Sequence, residues 1–135
     1  MTNQEIIDAA LAKLGILEKG ASADATDSAT ALGVLNRMMH EWRERSMDFN
    51  WFTQDTLSDS APIPDWAEEG VISNLAVRAA TDFRAMVTQA LFDEAVTGRR
   101  TIGNTLINQE LDNTDMTHLP WGDGRLSRYD IEIDS

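Results

Sequence analysis

Few side chains in this sequence stand where chemistry usually needs them. The two histidines, His40 and His118, lie far apart and flank no other ligand cluster. His40 and Glu44, at i and i+4, supply half a metal site on one helix face; zinc needs more converging ligands, so a surface polar pair is the simpler reading. Asp65, Glu68 and Glu69 have the residue types for paired-carboxylate acid/base work. They also occupy what reads as a helix's first turn, where the macrodipole favours acids. Serines are plentiful, yet no Gly-x-Ser-x-Gly elbow occurs, and no glycine-rich loop closes on a Lys-Ser or Lys-Thr pair. Gly122-Asp123-Gly124 is a turn signal whose central acid opposes phosphate cradling. Absence of cysteine removes thiol nucleophiles, disulfides and thiolate metal sites, and it permits a reducing compartment. No catalytic residue, metal or cofactor is assigned.

The aromatic residues are more informative. Trp42 falls on an apolar helical stripe and reads as core, and Trp66, at a helix start, as core or a boundary contact. Trp121 instead lies in a polar stretch, Leu119-Pro120-Trp121-Gly122. Beyond it, Tyr129, Ile131 and Ile133 alternate with Asp130, Glu132 and Asp134, the period-2 pattern of a strand with one apolar face. A strand after a helical body has no sheet of its own. Its expected partner is another chain, met by strand addition or by docking into a groove. The other reading is a tail whose aromatics fold back on the parent bundle. Trp, Tyr and Arg are also the types that dominate interface hot spots.

The elements that must position these residues are helical. Thr2 with Glu5 fits a capping box, followed by the stripe Ile6, Ile7, Ala10, Leu11 and Leu14, and Gly15 stops the helix. Ser22 can cap a second helix running to about Arg45, with Ala25, Ala29, Leu32, Leu35, Met39 and Trp42 inward. Gly33 within it suggests close packing. Residues 47–63 read as a loop with room for a short strand or hairpin. A third helix starts near Pro64 to Trp66 and carries Val71, Ile72, Leu75, Ala76, Ala79 and Phe83. A fourth apolar set runs Met86, Val87, Ala90, Leu91, Ala95, Ile102, Leu106 and Ile107, with Gly98 and Gly103 as places to kink or end. The expected fold is all-α: a small bundle of about four helices, residues 1–110, and an extended C-terminal arm, residues 111–135, containing a short strand.

Composition narrows the function classes. The chain has 135 residues and a net charge of −12, from 23 acids and 11 bases. Residues 1–50 carry 8 acids and 5 bases, and residues 51–135 carry 15 and 6. Such acidity opposes DNA binding by bulk attraction, which depends on Lys and Arg. No apolar run reaches the ~18–20 residues of a membrane span, and the N-terminal residues lack the pattern of a secretory signal.

Taken in order, the residues resemble a family. Leu14-Gly15-Ile16-Leu17, Gly20, Ala31-Leu32, Leu35-Asn36 and Trp42, then Trp51-Phe52-Thr53 and Asn74-Leu75-Ala76, are similar to the head-to-tail adaptors of tailed phages. The nearest type is the tail accessory factor, or packaged-DNA stabilisation protein, of short-tailed phages. Asp115-Met116, Leu119-Pro120, Gly122 and Tyr129-Asp130-Ile131 extend the likeness into the arm. One departure is Thr81-Asp82-Phe83-Arg84, where relatives often close the third helix with an aromatic-glycine pair. The resemblance implies a non-enzymatic virion protein, assembled in the host cytoplasm, that binds portal and tail proteins. It implies a homo-oligomeric ring of about twelve copies through which DNA passes without sequence-specific binding. It marks Leu119, Pro120, Trp121, Tyr129 and Ile131 as docking residues; Arg125 and Arg128, the arm's cations, would pair with acids on the partner. Competing expectations are a small cell-wall hydrolase using carboxylates such as Glu68 and Asp82, and a free-standing acidic adaptor for a host protein.

Overall fold

A computed structural model describes residues 1–113. Four helices follow one another: α1 (Asn3–Lys13), α2 (Ala25–Glu44), α3 (Glu68–Ala79) and α4 (Gln89–Asn113), with a single 3-10 turn, Asp65–Ala67, leading into α3. The all-α expectation holds, and no named strand occurs among the described residues. Helix α3 is the hub, packing against each of the other three helices. The arm from residue 114 onward, with its expected strand, lies outside the described residues.

Local chemistry explains the first two helices. Thr2 Oγ1 accepts from the Glu5 backbone N–H at 3.1 Å while Glu5 returns to the Thr2 N–H at 2.8 Å, so the capping box is complete. Ile6, Ile7, Ala10 and Leu11 are all buried, and Gly15 takes a positive φ of 77° just past the helix end. For α2 the cap is Asp24, not Ser22: its carboxylate accepts from the Asp27 N–H at 2.8 Å. The buried face is Ser28, Ala31, Val34, Leu35, Met38, Met39 and Trp42, rotated from the expected one and leaving Ala25 and Ala29 in solvent. Gly33 makes no close helix approach; a Cβ there would meet only the Arg37 side chain, at 3.4 Å.

The segment between α2 and the 3-10 turn is a pinned coil with one isolated bridge, Thr2 to Ser60, and no hairpin. Three amides hold it. Asn36 Oδ1 accepts from the Gln54 N–H (2.9 Å) and from Trp51 Nε1 (3.1 Å), and its Nδ2 donates to the Gln54 carbonyl. Asn3 Nδ2 donates to Gln54 Oε1 at 3.0 Å and to the Thr56 carbonyl at 2.9 Å. Trp51 is thereby buried in the same core as Trp42, and Phe52 is turned out.

Helix α4 runs unbroken through Gly98 and Gly103. Gly98 is where α4 meets α3 backbone to backbone: a Cβ on it would lie 2.8 Å from Gly70 Cα. Asn74 braces the same crossing, donating to the Gly70 and Ala95 carbonyls at 2.8 Å each. Leu91, Ala95 and Ile102 are the buried face of α4. Met86 precedes the helix and is exposed, and Ile107 is exposed too, so neither joins the core as its periodicity suggests. The α3–α4 turn closes through Arg84 at φ 54°, with the Ala85 N–H bonding the Ala80 carbonyl at 2.9 Å. That is the left-handed position which glycine fills most easily.

Candidate functional site

The carboxylates with the residue types for acid/base work are dispersed. Glu68 bonds the Met1 amine at 3.1 Å, and Glu69 approaches Lys13, which also pairs with Glu94. Asp65 and Asp82 are exposed. Where the fold moves a carboxyl's pKa, it moves it down: the Thr2 backbone N–H lowers that of Glu5, and the Arg78 guanidinium lowers that of Glu41. His40 Nε2 meets Thr53 Oγ1 at 3.1 Å and so ties α2 to the pinned coil. Among the described residues no group of three His, Cys, Asp or Glu could hold a metal ion.

What the body does offer is surface for association. Phe52, Trp66, Phe92, Ile107 and Leu111 are exposed apolar side chains; Trp66 keeps a tilted ring contact with Phe49, centroids 6.0 Å apart. Phe92, Ile107 and Leu111 all lie on α4. Beyond Leu106 this helix outruns the core, and residues 107–112 are exposed. Several concavities flank α4, and two bear on association. One, about 760 Å³, lies over the α3–α4 crossing and includes Lys13, Glu69, Ser73, Leu91 and Glu94; buried Ser73 Oγ has no hydrogen-bond partner there. The other, about 330 Å³, runs between the C-terminal end of α2 and the middle of α4, and it gathers Arg45, Arg99 and Arg100 around Met47, Val96 and Ile107.

All seven sequence-assigned partner residues (Leu119, Pro120, Trp121, Arg125, Arg128, Tyr129 and Ile131) lie outside the described residues. The arginine groove was not legible from spacing, because Arg45 and Arg99 come from helices more than fifty positions apart. Only the drift of apolar residues around α4, from Leu91–Ala95–Ile102 to Phe92–Val96–Ile107, signals that this helix has two faces to satisfy.

These observations describe a small helical bundle whose longest helix carries an open face. The family model described as P22 tail accessory factor matches residues 1–131, and the chain belongs to that family. It is a phage tail-associated structural protein. No curated protein matches the chain. No helix among the described residues is long and apolar enough to cross a membrane.

Proposed function

We propose that the protein is a head-tail adaptor that forms a ring of about twelve copies beneath the portal. It extends the DNA channel, helps retain the packaged genome and gives the tail its attachment platform. The observation that carries this reading is the family match over residues 1–131, which takes in the arm as far as Ile131. The end of α4 supports it, because a helix that outruns its own bundle leaves Ile107 and Leu111 exposed for a neighbour to cover. Leu119, Pro120, Trp121, Tyr129 and Ile131 dock the arm onto the portal or a neighbouring subunit, and Arg125 and Arg128 pair with acids there. The net charge of −12 suits a channel wall that repels phosphates and lets DNA slide.

Deleting residues 114–135 tests it, since the cut falls after α4 and leaves every described helix intact. The truncated chain is expected to keep its helical circular dichroism and cooperative melt but to fail to join portal rings in negative-stain images. Normal incorporation would refute the role of the arm. Trp121→Ala alone should weaken docking by roughly 2 kcal/mol if the residue is a hot spot.

A further inference from the structure

A cationic groove is unexpected on so acidic a chain. Residues 1–113 contain nine Lys and Arg, and three of them, Arg45, Arg99 and Arg100, meet in the groove between α2 and α4. Among the described residues none of the three takes part in an ion pair, while Arg43 and Arg78 are held by Asp48 and Glu41. The groove is not purely polar, since Met47, Val96 and Ile107 line it between the arginines. Its occupant must therefore combine several negative charges with apolar side chains at short spacing. A nucleic-acid backbone supplies the charges but no aliphatic groups.

One such segment exists in this sequence. Residues 129–134, Tyr-Asp-Ile-Glu-Ile-Asp, interleave three apolar side chains with three acids. We propose that this segment folds back and occupies the Arg45–Arg99–Arg100 groove of its own chain. The dimensions agree. Val96 to Ile107 spans roughly 16 Å of helix, and six extended residues span about 20 Å. Residues 114–128 can reach about 50 Å when extended, far more than the return along α4 requires. An intramolecular partner on such a tether acts at an effective concentration on the order of millimolar, enough to populate a weak site. Exposed arginine–carboxylate pairs contribute little singly, so the apolar edge supplies attraction and the charges set register. The seat belongs to the isolated chain and does not depend on ring formation.

Chymotryptic cleavage at Tyr129, the single tyrosine of the chain, reads the docking directly. The full-length protein is digested at concentrations where sedimentation shows single chains, and the nicked product is followed by mass spectrometry. Cleavage should run about tenfold slower than in a synthetic peptide of residues 125–135, because proteolysis follows the undocked population. Arg99→Glu with Arg100→Glu should restore the peptide's rate, and so should Asp130→Lys with Glu132→Lys. Combining all four reverses both partners and should return the protection, with the same cleavage sequence as in the second variant. Circular dichroism confirms that each variant is folded. Wild-type cleavage at the peptide rate would overturn the proposal and leave the groove to another partner. Failure of the fourfold variant to recover, or protection seen only where chains associate, would overturn it equally.

Discussion

Replacing Gly98 by alanine should destabilise this protein, although the same change in an open helix stabilises. An interior helical glycine costs about 1 kcal/mol relative to alanine, so propensity alone predicts a gain. At Gly98 the added Cβ would stand 2.8 Å from Gly70 Cα, a backbone atom that no rotamer change can move. The two helices must separate, loosening the packing of Leu91, Ala95 and Ile102. Overpacking of this kind costs about 1–3 kcal/mol, and with rigid backbone as the obstacle we expect a net loss of about 2 kcal/mol. For a domain of this size that lowers Tm by about 7 °C. Gly33→Ala is the internal control: its Cβ meets only the flexible end of Arg37 at 3.4 Å, and it should gain about 0.5–1 kcal/mol. Urea and thermal unfolding of the full-length chain, followed by circular dichroism with unchanged m-values, measure both. Gly70→Ala separates the causes further, since its Cβ lies 2.7 Å from Ile102 Cδ1 and 3.2 Å from the Gly98 carbonyl. Adding Ile102→Val should make that pair less than additive and should not rescue Gly98→Ala. If Gly98→Ala is as stable as the wild type, the close α3–α4 approach is wrong.

Two further outcomes follow from polar contacts. Asn36→Ala leaves the Gln54 backbone groups and Trp51 Nε1 without their side-chain partner, and should cost about 2–3 kcal/mol in urea unfolding; a loss under about 0.5 kcal/mol would mean that water replaces the amide freely. Glu5 and Glu41 have folded pKa values below the ordinary 4.5, from the Thr2 backbone N–H and the Arg78 guanidinium respectively. Their contribution is therefore complete above that value and is lost as pH falls through the folded one. Glu41→Gln should accordingly flatten the fall in denaturation midpoint between neutral and acid pH, and a fall as steep as the wild type's would assign the acid sensitivity elsewhere.

Helix existence was legible because the apolar spacings of α1 and α3 are regular and α1 opens on a complete capping box. Helix phase in α2 was not. Ala25 and Ala29 continue one apolar stripe with Leu32, Leu35 and Met39, and Ala31, Val34 and Met38 lie on an adjacent one; only the packing against α1 and α3 selects the second. Glycine misled in both directions, since Gly33 looks like a packing site and Gly98 like a helix end, yet each meaning depends on a neighbour from another element. The departure at Phe83-Arg84 falls where the structure places a left-handed residue, so the helix closure survives with arginine where glycine would be relaxed. Pinning of the coil was hidden as well. Asn3, Asn36 and Gln54 are ordinary polar residues in a linear sequence; Asn3 and Gln54 become buried amides, and Asn36 a half-buried one, only when α1 and α2 converge. The arginine groove was illegible for the same reason.

Charge constrains how such a chain can meet copies of itself. Each copy carries −12, and a closed ring sets those charges side by side. Repulsion between exposed charges fades beyond about 8 Å at physiological ionic strength, but it acts at every subunit boundary. Cohesion must therefore come from contacts that work at shorter range. Exposed apolar side chains on α4 are one source, and they lie on the face where acids are sparse: Phe92, Val96 and Ile107 are interleaved with Arg99 and Arg100. Locally concentrated opposite charge is the other, and among the described residues the groove at Arg45, Arg99 and Arg100 is where unpaired cations converge. Both sources meet along one side of α4, which Arg45 reaches from the end of α2. In the ring we propose, that side of α4 must face protein and not the DNA channel, because its exposed apolar side chains need a partner that buries them and DNA phosphates offer none.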